Sequence, residues 1–304
     1  MYTKLERIAE IAKENPNEKF SALIHHINKE MLIQCHKELK GNKATGIDGK
    51  TKLQYEANLE ENITSLLERM KKFSYKPQPV RRVYIPKPGS EKKRPLGIPA
   101  YEDKLVQLAI NKILTAIYEQ DFIDCSFGFR QGKGCHDALK QLDVYLSWRN
   151  INYVVDADIR GFFDYVDHEW LMKFLGHRIS DKNLLRYIKR FLTAGIMENG
   201  SFKKSYEGTP QGGIISPTLA NIYLHYALDL WFEKRIKKHC KGQAYLVRYA
   251  DDFVCCFEYE DEAKAFYKAL KERLGQFNLE MAEEKSRILY FGKQAYLERK
   301  AGKE

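Results

Sequence analysis

The sequence predicts an α+β fold, in which a helical N-terminal part precedes short strands mixed with helices. Apolar residues recur at helical spacing through most of the first 75 residues. Short runs rich in β-branched and aromatic residues, such as 80–86 and 153–158, then alternate with helical segments across long spacers. In the segment 246–257, two apolar arms flank adjacent acidic residues, as in an antiparallel hairpin.

In the N-terminal half, the helical pattern is interrupted by one pair of strands. The segment 41–49 ends the second helix, because its three glycines, Asn42 and Asp48 are typical of turns. The predicted elements are helices at 4–14, 18–40 and 55–72, strands at 80–86 and 94–99, and a helix at 102–119.

In the C-terminal half, strands and helices alternate. Ser216 with Pro217 predicts a helix start, since Ser caps the first turn and Pro fits its first position. The predicted elements are a helix at 135–148, a strand at 153–158, helices at 168–177 and 181–194, a strand at 202–207, a helix at 216–239, the hairpin 246–257, a helix at 261–276, and strands at 279–281 and 288–290.

Size and composition indicate a globular protein with room for two subdomains. The chain has 304 residues, of which 44% are hydrophobic. No stretch reaches the length of a transmembrane helix, and the charged N-terminus is unlike a signal peptide. The six cysteines form no C-x-x-C pair, which argues against a zinc site or a disulfide framework. We therefore expect no membrane association and a reducing, cytoplasmic setting.

A basic segment predicts a surface for nucleic acid. The formal net charge is +10, and residues 71–94 hold nine basic residues against the single acidic Glu91. Interleaved aromatic and proline residues favour a shaped phosphate-binding surface over a plain solvated face. For Arg130, in the Gly-rich loop 127–134, a structural ion pair is an equal alternative. The candidate RNA-binding residues are Lys71, Lys72, Arg81, Arg82, Arg130 and Lys133.

Asp251 and Asp252 are candidate cation ligands at the predicted tip of the hairpin, where Asp tolerates turn geometry. Taken alone, the pattern is also that of an ordinary turn. Partial burial of adjacent carboxylates is costly, however, unless a cation is bound. The strand before the hairpin offers a third carboxylate at its end. Asp158 is favoured, with the backbone carbonyl of Ile159 beside it, and Asp156 on the same strand face is the rival.

Several motifs together resemble those of reverse transcriptases. They are Asp158-Ile159-x-Gly161-Phe162-Phe163-Asp164, then Pro210-Gln211-Gly212 before Ser216-Pro217, then Tyr249-Ala250-Asp251-Asp252. Three such motifs in this order are far more specific than Y-x-D-D alone. The resemblance narrows to the bacterial group II intron reverse transcriptase, or maturase, through residues 85–87 and 94–99, Asp103-Lys104 with Gln107, Ser126-x-Gly128-Phe129-Arg130, and Gly46-Ile47-Asp48-Gly49. It covers roughly residues 40–290.

The resemblance implies a right-hand polymerase with fingers and palm, whose antiparallel palm sheet is backed by helices. The implied parts of this one reverse transcriptase domain are a helical N-terminal extension at 1–75, fingers at 76–150, a palm at 151–292 with a return to the fingers near 180–215, and a charged tail at 293–304. The segment after Lys285 matches the family poorly. We therefore expect the thumb to be absent and the chain to be a fragment of a longer protein.

The resemblance also implies roles for single residues. Asp158, Asp251 and Asp252, with the Ile159 carbonyl, would hold two Mg²⁺ ions, Mn²⁺ being the alternative. Lys285 would protonate the leaving pyrophosphate, although an exposed lysine at a helix end is the common alternative. The residues implied for the incoming dNTP are Lys87 and Arg94 on the triphosphate, Phe163 under the sugar, where it would exclude a 2′-hydroxyl or serve as core, and Gln211 against the nucleotide.

The implied function is the RNA-directed DNA polymerase of a group II intron maturase, which also binds intron RNA for splicing and mobility. The implied partners are template RNA, group II intron RNA, a DNA primer and dNTPs, and a homodimer is one alternative for assembly. Two other hypotheses stay open. One is a module that mainly binds RNA in splicing, and the other is a retron or diversity-generating reverse transcriptase, or an RNA-copying RNA polymerase. The segment 94–99 and the bulky Phe163 favour the group II interpretation.

Overall fold

The computed structural model describes residues 2–86, 89, 91, 93–209, 211–292, 295 and 300. It confirms a mixed α and β architecture with two mainly antiparallel four-stranded sheets. Internal contacts divide the chain into two compact units. The first unit is Met1–Asp121 with Asp167–Leu219, and the second is Phe122–Val166 with Ala220–Glu304.

The protein contains α-helices, β-strands and short helical segments of other types. The α-helices are α1 (Tyr2–Glu14), α2 (Lys29–Glu38), α3 (Lys52–Glu56), α4 (Leu59–Lys71), α5 (Tyr101–Tyr118), α6 (Cys135–Trp148), α7 (Phe162–Tyr165), α8 (His168–Leu175), α9 (Lys182–Leu192), α10 (Ser216–Leu224), α11 (Lys237–His239) and α12 (Glu260–Gly275). The strands are β1 (Val80–Pro86), β2 (Lys93–Ile98), β3 (Tyr153–Ala157), β4 (Ile196–Glu198), β5 (Ser201–Lys203), β6 (Ala244–Tyr249), β7 (Asp252–Phe257) and β8 (Arg287–Tyr290). Short 3₁₀ turns lie at Ile24–His26 and Glu283–Lys285, and π-helical segments at His225–Asp229 and Phe232–Ile236.

The first unit is built around α5, a helix with apolar residues on most of its circumference. Such a helix is stable only when it is surrounded by protein, and α1 and α2 pack against it. The sheet of this unit has the strand order β2-β1-β4-β5. In it β1 is antiparallel to β2 and parallel to β4. The buried residues of α5 include Leu105, Val106, Ala109, Ile110, Ile113, Leu114 and Ile117.

Two helices predicted in this unit are wrong in part. The helix predicted at 18–40 begins only after Asn28, whose side chain caps α2 by accepting from Met31 N. Before it, Phe20 forms a β-bridge with Ile179, and Asp181 Oδ2 accepts from the N–H groups of Leu23 and Ile24. These tertiary hydrogen bonds override the local helical spacing. The helix predicted at 55–72 is divided into α3 and α4 at residues 57–58.

The second unit contains the antiparallel sheet β6-β7-β3-β8. Strand β3 pairs with β7 and β8, and Ala157 lies opposite Phe253. Side chains alternate between the two faces of a strand. On one face Val154 and Cys256 pack with Leu142 and Leu146 of α6. On the other, Phe257 contacts Phe266 of α12. The sheet is therefore covered by a helix on each face.

Of three further predicted elements, one helix is confirmed, one strand is shorter than predicted, and one strand does not form. The helix predicted at 216–239 is confirmed as a helical run, although it contains the two π-helical segments. The strand predicted at 202–207 is instead the second arm of the β4–β5 hairpin, which ends at Lys203. Residues 279–281 form no strand, and Met281 makes a single β-bridge with Ile159.

Candidate active site

The hairpin of β6 and β7 carries the two adjacent aspartates in different positions. Tyr249 pairs with Asp252, so Ala250 and Asp251 form a two-residue turn. We predicted both aspartates at the tip, but only Asp251 lies there, and Asp252 is the first residue of β7. Ala250 has φ 59°, a left-handed conformation that favours glycine in such turns.

Asp158 follows β3, the neighbour of β7, so it lies at the same edge of the sheet as Asp252. Its backbone is fixed on both sides. Its N–H donates to Ser286 Oγ at 3.2 Å, and its carbonyl accepts from Ala282 N at 2.8 Å. Ile159 forms the β-bridge with Met281. The third carboxylate is thus held in register with the hairpin by main-chain hydrogen bonds.

A cavity of about 420 Å³ brings these carboxylates together within the second unit. Asp156, Asp158, Asp252 and Lys285 supply its charged wall, and residues of α6 supply an apolar wall. Asp251 lies in the adjoining turn. The structure therefore gathers side chains from three segments that are far apart in the sequence.

Lys285 pairs with Asp158, with Nζ 2.6 Å from Oδ2. This hydrogen bond and the charge of Asp158 raise the pKa of Lys285 above its usual range. Asp156 has a cation of its own, since Arg287 Nε lies 3.5 Å from its Oδ2. Asp156 and Asp158 thus both line the cavity, and each forms an ion pair with a basic residue in or just before β8.

The residues fit divalent cations by donor type. Hard cations such as Mg²⁺ prefer carboxylate and carbonyl oxygens, which Asp158, Asp251, Asp252 and Ile159 provide. Within the described part of the chain, no group of three or more His, Cys, Asp and Glu side chains is already arranged to hold a metal ion. Lys285 engages Asp158 Oδ2, so a cation held by all three aspartates would use the other oxygen of Asp158 or displace this ion pair.

Phe163 follows a sharp change in chain direction after β3. Gly161 has φ 52°, a conformation that L side chains adopt rarely, and it precedes α7. Phe163 is half-buried, and its ring lies edge-on to Phe129 at 6.5 Å and to Phe162 at 5.5 Å. Phe162 is fully buried, so it is the core residue of the pair, while Phe163 retains an accessible face.

Arg248, which sequence reasoning missed, lies directly behind the aspartate turn. It is fully buried in β6, and each of its five N–H donors has an acceptor in the second unit. The acceptors are both carboxylate oxygens of Asp229, Oδ1 of Asn221, Oγ of Ser126 and the carbonyl of Ala250. Burial lowers the pKa of Arg248, but the charge and hydrogen bonds of Asp229 raise it more, and Asp251 adds to this effect.

Two residues of the first unit that are predicted to bind the incoming nucleotide, Arg94 and Gln211, lie on and beside strand β2. Arg94 is exposed on β2. The Gln211 carbonyl accepts from Gly97 N at 2.6 Å, so Gln211 lies beside the strand that carries Arg94. Gly212, at φ 105°, approaches the same strand, where a Cβ would lie 2.9 Å from Gly97 O. Lys87 lies outside the described residues, as does most of the tail predicted at 293–304.

The predicted RNA-binding residues divide into exposed and internally bonded groups. Lys71 and Lys72 are exposed at the end of α4. Arg81 donates twice to the carbonyl of Thr45, and Arg130 donates to the carbonyls of Ile123 and Ser126. Of the remaining two, Arg82 is half-buried on β1, and Lys133 pairs with Asp124 at 3.2 Å.

No helix among the residues that the structure describes is long and apolar enough to cross a membrane.

Comparison with known proteins agrees with the motifs. Residues 85–300 match the family model described as reverse transcriptase (RNA-dependent DNA polymerase). The group II intron-encoded protein LtrA of Lactococcus lactis subsp. cremoris is 41% identical over 222 residues, which are 73% of this chain and 37% of LtrA. Protein YkfC of Escherichia coli (strain K12) is 31% identical over an alignment of 319 positions, gaps included, which covers 93% of this chain and 83% of YkfC.

A relative from a eukaryote extends this set. The uncharacterized 91 kDa protein in the cob intron of Schizosaccharomyces pombe is 33% identical over 233 residues, which are 76% of this chain and 28% of that protein. The matched region is thus under two fifths of the length of both LtrA and the cob intron protein. The relatives of this chain thus include a group II intron-encoded protein. The family match spans more than half of the chain and includes all three aspartate positions, so the chain belongs to the reverse transcriptase family.

Proposed function

We propose that this chain performs RNA-directed DNA synthesis by two-metal nucleotidyl transfer to a primer 3′-hydroxyl. The observation that supports this most directly is the shared cavity of Asp158 and Asp252, with Asp251 in the adjoining turn. When bound, two Mg²⁺ ions, or Mn²⁺, would stabilise the attacking and leaving oxygens. The three aspartates and the Ile159 carbonyl would hold them.

The other residues of the second unit have supporting roles in this proposal. Lys285, already beside Asp158, can carry a proton to the leaving pyrophosphate. Phe163 presents its accessible face to the sugar, where its bulk excludes a 2′-hydroxyl. Since Phe129 and Phe162 pack against its ring, Phe163 has limited freedom to move aside.

In the first unit, we assign Lys87 and Arg94 to the triphosphate and Gln211 to the nucleotide. Arg94 is exposed and its guanidinium can bind phosphate oxygens in a fork. The backbone carbonyl of Gln211 is bound to β2, and we assign its half-buried side chain to contact with the nucleotide. These assignments go with the proposal that the domain consists of fingers and palm, divided at the boundaries predicted from the sequence.

We also propose that the protein binds group II intron RNA and assists splicing and mobility. LtrA is a group II intron-encoded protein, and nuclear intron maturase 4 of Arabidopsis thaliana is 28% identical over 134 residues. The net charge of +10 and the exposed lysines at the end of α4 support binding to an RNA backbone. Splicing assistance without polymerisation would not need the three aspartates, so the site favours an active polymerase.

The decisive experiment is primer extension on an RNA template with Mg²⁺ by the Asp252→Asn variant. Asn keeps the size of the side chain but removes the charge that binds the cation. We expect extension to be abolished, while RNA binding measured by filter retention is retained. The matched control is Asp143→Asn on the exposed side of α6, which should extend normally. Normal extension by Asp252→Asn would refute the metal site.

A further inference from the structure

The aspartate turn has a backbone that needs support from its surroundings. Ala250 adopts φ 59° although it carries a Cβ, and non-glycine residues persist in this region mainly where neighbouring structure holds them. Asp251 is the other residue of the turn, so the peptide between Ala250 and Asp251 sets where the Asp251 carboxylate points.

Arg248 holds this peptide directly. One nitrogen of its guanidinium donates to the Ala250 carbonyl at 2.8 Å and to Asn221 Oδ1 at 2.9 Å. The remaining donors bind Asp229 and Ser126. A planar guanidinium with all five donors engaged cannot rotate without breaking several buried hydrogen bonds at once. The orientation of the Ala250 carbonyl is therefore fixed.

A second support acts from the side of the turn. The Asn221 carboxamide, which accepts from Arg248, also donates to the carbonyl of Gly128 at 2.8 Å. Gly128 packs so closely on the turn that a Cβ there would lie 2.2 Å from Ala250 N. Asn221 thus connects the guanidinium to the backbone that closes the turn from outside.

Asp229 gives this arrangement its charge balance. Its side chain is fully buried and binds Arg248 through both oxygens. It ends a π-helical segment, His225–Asp229, a geometry that is rare and often found at functional sites. With Asp229 present, the guanidinium is neutralised. Without it, an uncompensated buried cation would lie behind Asp251 and would compete with a metal ion for that carboxylate.

We propose that Asp229, Arg248 and Asn221 form a positioning device that fixes the aspartate turn and prevents the buried guanidinium from competing with a cation for its carboxylates. The proposal rests on the assignment of Asp251 and Asp252 as metal ligands. Arg248 and Asp229 are positioning residues, because they act on the ligands through the Ala250 carbonyl and through charge, without contact to substrate.

The test separates cation affinity from stability. Replacing a buried ion pair by apolar residues of similar volume is often neutral for folding, so the key variant is the double substitution Arg248→Met with Asp229→Leu. Binding of Mn²⁺ alone is measured by electron paramagnetic resonance, and thermal unfolding and the Mg²⁺ dependence of extension are measured in parallel. We expect near-normal unfolding, at least tenfold weaker Mn²⁺ binding and a matching rise in the Mg²⁺ needed for half-maximal extension.

Two controls make the outcomes distinct. Asp252→Asn must lose Mn²⁺ binding, and if it binds normally the metal site itself is wrong. A comparison pair in the first unit consists of Arg178, which is buried, and Asp121, which is partly buried, with Arg178 Nε 3.4 Å from Asp121 Oδ2. Its double substitution by Met and Leu should leave Mn²⁺ affinity unchanged, whatever its effect on unfolding.

A folded Arg248→Met, Asp229→Leu variant with wild-type Mn²⁺ affinity would overturn the proposal and leave the pair a purely structural role. If the double variant does not fold, Arg248→Lys decides the question. Lysine keeps the charge opposite Asp229 but lacks the fork that reaches Ala250 and Asn221. Weaker Mn²⁺ binding by this variant supports positioning, and unchanged binding overturns it.

Discussion

We predict that Asp103, near the start of α5, makes the stability of the protein dependent on pH. Its carboxylate is buried and accepts from Tyr75 Oη and, at 2.9 Å, from Gln78 N. Burial raises its pKa to about 7, despite these hydrogen bonds, and the charges of Glu102 and Asp48 act in the same direction. In the unfolded chain the pKa of an aspartate is about 4.

The sign of the effect follows from proton binding. Between about pH 4 and pH 7 the folded state holds a proton on Asp103 that the unfolded state has released, so stability falls as pH rises through this window. From pH 5 to pH 8 the loss amounts to roughly 2 to 3 kcal/mol, at 1.36 kcal/mol for each pH unit over which one proton differs.

The perturbation is Asp103→Asn, and the assay is urea unfolding of both proteins at pH 5 and pH 8. An asparagine oxygen can accept from Gln78 N while its amide donates to Tyr75 Oη, so both contacts are kept. The Tyr75 hydroxyl proton loses its acceptor, but this loss is the same at both pH values. We expect the variant to lose this part of the pH dependence. Other groups also have shifted pKa values close to this pH range. Among them are Asp121, whose partial burial raises its pKa to about 6, and His225, whose burial lowers its pKa to about 4.

These groups contribute equally to both proteins, so they cancel in the difference between them. The free energy of unfolding of the variant, relative to wild type, should therefore rise by roughly 2 to 3 kcal/mol between pH 5 and pH 8. A constant difference across this range would refute the raised pKa of Asp103.

Three shorter predictions concern the proposed function. Phe163→Ala should lower the preference for dNTP over rNTP by at least roughly tenfold in single-nucleotide extension, whereas Phe163→Leu should keep most of this preference. Unchanged discrimination in the alanine variant would mean that Phe163 is a core residue only. Lys285→Met should slow nucleotide addition by roughly 10²-fold and flatten the pH profile of the rate, while the control Lys271→Met, which removes an exposed lysine paired with Glu283, should do neither. Binding of structured RNA should weaken steeply with salt, and the double variant Lys71→Gln, Lys72→Gln should reduce the slope of log K against log salt concentration by about 1 per lost phosphate contact. An unchanged slope would exclude the end of α4 from the RNA-binding surface.

Much of the fold could be predicted because its signals are local. The apolar spacing of α5 and the hairpin pattern of β6 and β7 lie within single segments, and both are confirmed. The first part of the helix predicted at 18–40 is wrong because its competitor, Asp181, lies more than 150 residues away and binds the backbone N–H groups of Leu23 and Ile24. Periodicity contains no information about such a partner.

Only some residues of the candidate site could likewise be predicted from the sequence. The aspartates could be found because they stand in short motifs. Arg248 could not, since an arginine beside Tyr249 resembles a solvated charge at a strand end, and its partner Asp229 lies in a helical run with no unusual composition. The pairing of Lys285 with Asp158 could not be predicted either, because it depends on the antiparallel register of β3 and β8. A charged residue inside an otherwise apolar strand is the one signal in the sequence that indicates a buried partner for Arg248.

The π-helical segment that ends at Asp229 restricts the length of the helix that contains it, as well as its composition. A π turn holds one residue more than an α turn, and each residue in a helix turns the chain by about 100°. Because the wide turn takes up its extra residue over about the same rotation, deleting one residue between 225 and 228 would let the segment relax to an α-helix and would leave the helix on either side nearly in register. Such a deletion should therefore disturb the Asp229 carboxylate beside Arg248 more than the flanking helix, whereas a deletion in a regular α-helical part of the same run would rotate everything on one side of it by about 100°.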